Sequence, residues 1–255
     1  MTKSIAVAGK GGTGKSTLAA LLIQQLCQWG QGPVLAIDAD PDANLGSLLG
    51  TEPQKAVGDL REEVLKEFKD LPAGMSKANY VEAGLHQIIE EAEGFDLITM
   101  GRGEGPGCYC YLNSLIRKFY TDLTPSYAWA IIDNEAGLEH ISRRTTAHID
   151  ALIVVVNENP HSLKTARKIE AITGTIQNEI KHKYLVTNMV REDRREALRR
   201  QMADLSLEYL GDIPQDPQLQ EMVLRGEPLS RLDTSPVKDH IQAILRKIGG
   251  IHGHT

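Results

Sequence analysis

The residues Gly9-Lys10-Gly11-Gly12-Thr13-Gly14-Lys15-Ser16-Thr17 are of the types and spacing that hold phosphate. They fit the pattern G-x-x-x-x-G-K-[ST] and lie between an apolar run, Ile5–Ala8, and a helix-like stretch, Leu18–Trp29. A phosphate loop needs both neighbours. The strand fixes the loop, and the helix N-terminus aims free N–H groups and its dipole at the anion. Glycines let the backbone close around phosphate where a Cβ would obstruct it. Gly11, Gly12, Thr13, Gly14 and Thr17 would line the cradle, Lys15 would reach the β- and γ-phosphates, and the Ser16 hydroxyl would ligate Mg²⁺. The ligand this predicts is a nucleoside triphosphate with its metal.

Two further groupings could do chemistry. Asp38-Ala39-Asp40-Pro41-Asp42 puts three carboxylates within five residues at the end of a second apolar run. They are costly to pack together unless a cation, water or solvent balances them. Asp-Pro is also ordinary turn chemistry; beside a phosphate loop the run becomes a second motif. Cys108-Tyr109-Cys110 follows a glycine-rich stretch, Gly101 to Gly107. Two thiolates one residue apart can face one soft metal if the backbone bends. A pair supplies two ligands, whereas Zn²⁺ takes four and Ni²⁺ can be square-planar. A symmetric dimer would bring two pairs together. The plain alternative is a buried and an exposed cysteine before a helix, Tyr111–Leu123. Cys27, inside an apolar helix, reads as core.

These groups need a scaffold, and the apolar runs supply one. Ile5–Ala8, Val34–Ile37, Leu97–Met100, Trp129–Ile132, Leu152–Val156 and Tyr184–Val186 alternate with helical stretches, most of them ten residues or longer. The pattern predicts an α/β fold, a doubly wound and mainly parallel sheet with helices on both faces. Functional groups in such sheets gather at the C-terminal ends of the strands. No repeat or long linker interrupts the chain, so residues 1–255 are expected to form a single domain. Leu60–Lys69 and Val81–Glu93 read as amphipathic surface helices. The last helix, Pro236–Ile248, puts Val237, Ile241, Ile244, Leu245 and Ile248 on one stripe. Its polar face is only slightly basic, which favours packing on the sheet over a membrane anchor. A net charge of −6 argues against non-specific nucleic-acid binding, and three cysteines are too few for a disulfide framework. With no room for a signal peptide and no apolar run near the ~20 residues that span a bilayer, a cytoplasmic location is expected.

Lys10 and the motifs around it resemble the deviant Walker A ATPases, which include MinD, ParA, the nitrogenase iron protein, the arsenite-pump ATPase and the nickel-insertion ATPases. The resemblance runs over nearly the whole chain. It implies a P-loop fold of the MinD-like group, with ATP and Mg²⁺ as ligands and a homodimer in which Lys10 reaches the partner's nucleotide. It further implies that Asp40 orients or deprotonates the attacking water, that Asp38 joins the Mg²⁺ shell, and that Asp133 in Ile131-Ile132-Asp133-Asn134-Glu135-Ala136-Gly137 holds Mg²⁺ through water. Asn188 matches the adenine-reading strand end, and Pro214 and Asp216 the loop near the base. The Cys108/Cys110 pair with the Asp133–His140 segment resembles the CooC-type branch. That implies Ni²⁺ or Zn²⁺ at the dimer interface and carbon monoxide dehydrogenase as client, with acetyl-CoA synthase as the near alternative. Glu139 and His140 read as structural residues of the second switch. A positioning ATPase like ParA or MinD would need a basic surface or membrane tail, and neither is evident in the sequence. An iron–sulfur electron donor would carry widely separated cysteines rather than a pair.

Overall fold

The computed structural model describes residues 2–67, 76–102, 110–135, 148–174, 179–232 and 234–249. Eight strands form one sheet in the order β3-β4-β2-β5-β1-β6-β7-β8. They are β1 (Lys3–Gly9), β2 (Val34–Ala39), β3 (Glu90–Ala92), β4 (Phe95–Thr99), β5 (Trp129–Asn134), β6 (His148–Val156), β7 (Glu179–Asn188) and β8 (Glu208–Ile213). All pairings are parallel except the short edge strand β3 against β4.

Continuous apolar strands predict burial on both faces, and alternation along β1 bears this out. Ile5 and Val7 enter one apolar cluster with Leu18, Leu22 and Leu26 of helix α1 (Lys15–Gln28) and with Ile241 and Leu245 of the last helix, α9 (Pro236–Gly249). Ala6 and Ala8 face the other cluster. There, Leu60 and Val64 belong to α3 (Val57–Glu67), Val81 and Leu85 to α4 (Lys77–Gln87), and Ile116 and Tyr120 to α5 (Cys110–Leu123). Leu163 and Ile169 come from α6 (Pro160–Thr173), and Leu198 from α7 (Glu192–Gln201). A short helix α2 (Leu45–Leu49) follows the carboxylate cluster, and α8 (Pro217–Arg225) follows β8. No helix among the described residues is long and apolar enough to cross a membrane.

All six expected strands are present, and two more appear. The stretch read as one helix, Val81–Glu93, stops at Gln87 and gives way to β3. Ile88 is buried and ends the helical face, while the exposed Glu91 suits a short charged edge strand. Gly211-Asp212-Ile213, directly before the expected loop of Pro214 and Asp216, belongs to β8. A register shift between Leu185 and Val186 breaks the period-two pattern there, so the strand carried no alternation to read. Boundaries also move. Met100 lies just past β4, α3 begins at Val57, and α1 begins at Lys15 inside the phosphate motif.

The chain leaves β1 at the centre of the sheet, flanked by β5 and β6. The sheet therefore delivers the ends of β1, β2, β5, β6 and β7 to one edge. In register across that edge, Asp38 stands beside Asp133, and Asp133 beside Val7.

Candidate nucleotide-binding site

The loop from Gly9 to Gly14 is held by its own backbone and by neighbouring strands. Thr13 is buried, and both its N–H (3.2 Å) and its Oγ1 (2.8 Å) donate to the Lys10 carbonyl, closing a turn. A Cβ on Gly9 would lie 2.5 Å from the Val155 carbonyl, so only glycine lets β1 run this close to β6. Gly14 takes φ +87° at the start of α1, and a Cβ there would lie 2.3 Å from Asn188 Nδ2. No side chain caps α1, and its first turn has no acidic residue. The first-turn N–H groups and the positive end of the helix dipole thus remain for an anion.

The charged groups converge beside this loop. Lys15 is 5% exposed, with Nζ 3.9 Å from Asp40 Oδ2. Asp38 is wholly buried. Its Oδ2 accepts from the Leu45 amide at 2.9 Å and its Oδ1 from the Asp40 amide at 3.2 Å, fastening the segment after β2 to the strand end. Burial pushes Asp38 up to about 6 against these amides, and neighbouring Asp40 adds to the rise. Asp133 is equally buried; neither of its oxygens meets full hydrogen-bond geometry with a partner, although the Ser16 hydroxyl stands close enough to favour its charged form. Burial, with Asp38 and Asp40, pushes it up to about 7, opposed by Ser16 and Lys15.

Two adjacent buried carboxylates without a full set of partners are costly, and a divalent cation would relieve that cost. No cluster of three or more His, Cys, Asp or Glu suited to a metal occurs among the described residues. Mg²⁺ does not require one, because it is commonly held by one or two carboxylates together with phosphate and water. The donors Ser16, Asp133 and Asp38 fit that pattern.

The structure also brings Asn188, Pro214 and Asp216 to the same edge. Asn188 Nδ2 donates to the Thr13 carbonyl at 2.8 Å. The Met189 amide donates to Ile213 O, next to Pro214. Asp216 is 6% exposed and caps α8: Oδ1 accepts from Leu219 N at 3.0 Å, and Oδ2 accepts from the Ser235 hydroxyl. Both oxygens thus have structural partners. Burial works against its ionisation, but Ser235 and the Leu219 and Gln218 amides hold Asp216 below the usual carboxylate range. Lys10 is half-buried and forms no ion pair among the described residues.

Sequence reasoning passed over two asparagines. Asn134 ends β5 and donates to Val7 O at 3.1 Å; Asn157 follows β6 and donates to Gly12 O at 3.4 Å. With Asn188 they place an amide at the ends of three strands around the loop, a recurrence visible in Asp133-Asn134, Val156-Asn157 and Thr187-Asn188. Cys108, Glu139, His140, His252 and His254 lie outside the described residues, and Cys110 is described only as the first residue of α5. Cys27 is half-buried against the α1 cluster, its Sγ donating to Gly94 O at 3.4 Å.

A parallel sheet with a glycine-rich loop between its central strand and α1, and carboxylates at the neighbouring strand ends, defines a P-loop nucleotide-binding protein. The chain belongs to the family described as the CobQ/CobB/MinD/ParA nucleotide binding domain, which matches residues 4–229. An uncharacterized ATP-binding protein of Methanocaldococcus jannaschii is 39% identical over 247 residues, 96% of this chain and 97% of that protein. The carbon monoxide dehydrogenase accessory protein CooC of Rhodospirillum rubrum is 32% identical, with 98% of each chain covered. Among solved structures, the MinD cell division protein of Aquifex aeolicus has a TM-score of 0.71 at 21% identity, with 98% of each chain covered. A ParA family ATPase of Chlorobium tepidum has a TM-score of 0.72 at 20% identity, covering 96% of this chain and 99% of that one.

Proposed function

We propose that the protein is a Mg²⁺-dependent ATPase, acting as a homodimer, that assists nickel insertion into carbon monoxide dehydrogenase. The observation that carries the ATPase reading is the buried Asp133 carboxylate, without full hydrogen-bond geometry to a partner, beside Lys15 and the open N-terminus of α1. The client reading is supported by the full-length likeness to CooC together with the Cys108-x-Cys110 pair.

In this reading the loop amides and Lys15 hold the phosphates, and the base lies towards Asn188 and Pro214. Ser16 and Asp38, with Asp133 acting through water, would hold Mg²⁺, which would neutralise charge on the phosphates. Asp40, paired with Lys15 without nucleotide, gives up that lysine to phosphate and turns its carboxylate to the attacking water. Lys10 of one subunit stabilises charge at the partner's nucleotide in the closed dimer. Cys108 and Cys110 of both subunits hold the nickel cargo as thiolates.

The decisive experiment co-expresses the chain with carbon monoxide dehydrogenase under limiting nickel. Activation that needs ATP turnover and both cysteines supports the reading; activation independent of the chain removes it. The same assay with acetyl-CoA synthase tests the near alternative, since C-x-C does not distinguish two nickel clients.

A further inference from the structure

We propose that Asn188 is a positioning residue of the phosphate loop, fixing the peptide plane that presents the Gly14 N–H to phosphate. This rests on the reading of the loop as the nucleotide site. It differs from a base-reading role, because the amide group acts on the loop itself.

The argument starts from one hydrogen bond. Asn188 is 7% exposed, and its Nδ2 donates to Thr13 O at 2.8 Å, a short contact between groups distant in sequence. In a trans peptide the C=O and the following N–H lie in one plane and point in opposite directions. Drawing the Thr13 carbonyl towards β7 therefore turns the Gly14 N–H away from β7. Gly14 is the cap residue of α1 and adopts φ +87°, a conformation with little intrinsic preference to hold it. An external restraint on its peptide is thus worth having.

The packing agrees. The 2.3 Å from a notional Gly14 Cβ to Asn188 Nδ2 shows the amide lying directly over the glycine. Any side chain at 14 would displace it. Asn157 applies the same device one peptide earlier, with Nδ2 3.4 Å from Gly12 O. On the opposite side Thr13 is tied to Lys10 O through its hydroxyl. The loop carbonyls are thus drawn outward, to Asn157 and Asn188, at two successive peptides.

The test uses inorganic tripolyphosphate, which offers phosphates without a base. Calorimetric titrations with Mg²⁺ compare tripolyphosphate, ATP and GTP on the full chain, in wild type and Asn188→Ala. One lost hydrogen bond should weaken tripolyphosphate and ATP by the same factor, roughly two- to tenfold. The preference for ATP over GTP should not change. A variant with wild-type tripolyphosphate affinity and reduced ATP-over-GTP preference would overturn the proposal, because Asn188 would then act on the base. If Asn188→Ala does not fold, Asn188→Leu keeps the shape of the amide without a donor or a charge, and the same comparison applies. A wild type that binds none of the three ligands removes the nucleotide-site reading instead, so the two failures are distinguishable.

Discussion

At the scale of single residues, the buried acids control both chemistry and stability. Asp133 is held up to about 7 by burial, against an ordinary carboxylate value of 3.8. A folded state that keeps a proton the unfolded chain has released loses stability as pH rises between those values. Other carboxylates, such as Asp150 and Asp212, are shifted down and act in the opposite sense, so total stability hides the effect. The difference between wild type and Asp133→Asn isolates it. Without nucleotide, the variant should be the more stable at pH 8, with the gap shrinking as pH falls towards 4, measured by urea unfolding. A gap that does not change with pH would show that Asp133 is not protonated on folding. Asp40 gives a second residue-scale expectation. Asp40→Ala frees Lys15 from its partner, so the variant should bind ATP at least as well as wild type while losing most turnover, read as separate binding and phosphate-release assays. Lys15→Gln should lose binding outright.

The chemistry-bearing types at this scale were largely legible. Lys15, Ser16, Asp38 and Asp133 are marked by local pattern, and the sheet brings their segments to one edge. The Asn188–Thr13 contact was not legible. Its partners are 175 positions apart, and the identity of the partner depends on which strand neighbours β6, the strand beside β1. An asparagine at a strand end suits a base, a turn or a backbone carbonyl equally well until that neighbour is known.

At the scale of elements, prediction succeeded where burial on both faces gives a continuous apolar run. It failed at the sheet edges. β3 and β8 are each paired on one side only, so their sequences need not be apolar, and the shift near Leu185 removes the remaining periodicity. The stretch around Asp216 shows the same limit. The loop of Pro214 and Asp216 resembles a base-contacting segment, yet the carboxylate is taken up as the cap of α8 and by Ser235. A capping aspartate contributes about 1 kcal/mol, and loss of the Ser235 bond adds to that. Asp216→Ala should therefore lower the thermal midpoint by several degrees, with an ATP affinity close to wild type at temperatures where the variant is folded. A large fall in affinity with an unchanged midpoint would return Asp216 to the nucleotide.

At the scale of the whole molecule, the nucleotide end of the sheet is tied to α5. The structure supplies a physical link. The Met100 amide donates to Asp38 O at 2.8 Å, and Met100 Sδ accepts from the Tyr120 hydroxyl of α5 at 2.8 Å. Asp38 also holds the segment that carries Asp40. A shift of that segment on ATP binding thus has a bonded path to α5, the helix that opens at Cys110. If the dimer shares one soft metal through two Cys108/Cys110 pairs, closing the dimer moves the pairs relative to each other. ATP should then change metal affinity, and metal should change ATP affinity by the same factor, as linkage requires. Lys10→Ala, which leaves the phosphate cradle intact, should bind nucleotide but lose this coupling along with turnover. The measurement is titration of Ni²⁺ and Zn²⁺ with and without a non-hydrolysable ATP analogue, at fixed protein concentration, with oligomeric state followed by sedimentation. The expected stoichiometry is one metal per dimer, bound through thiolates, so that affinity falls as pH falls. Cys108→Ser or Cys110→Ser should abolish tight metal binding and leave ATP affinity in the metal-free protein unchanged. One metal per monomer, or tight binding that survives loss of both cysteines, would show that the pair is not the interface site.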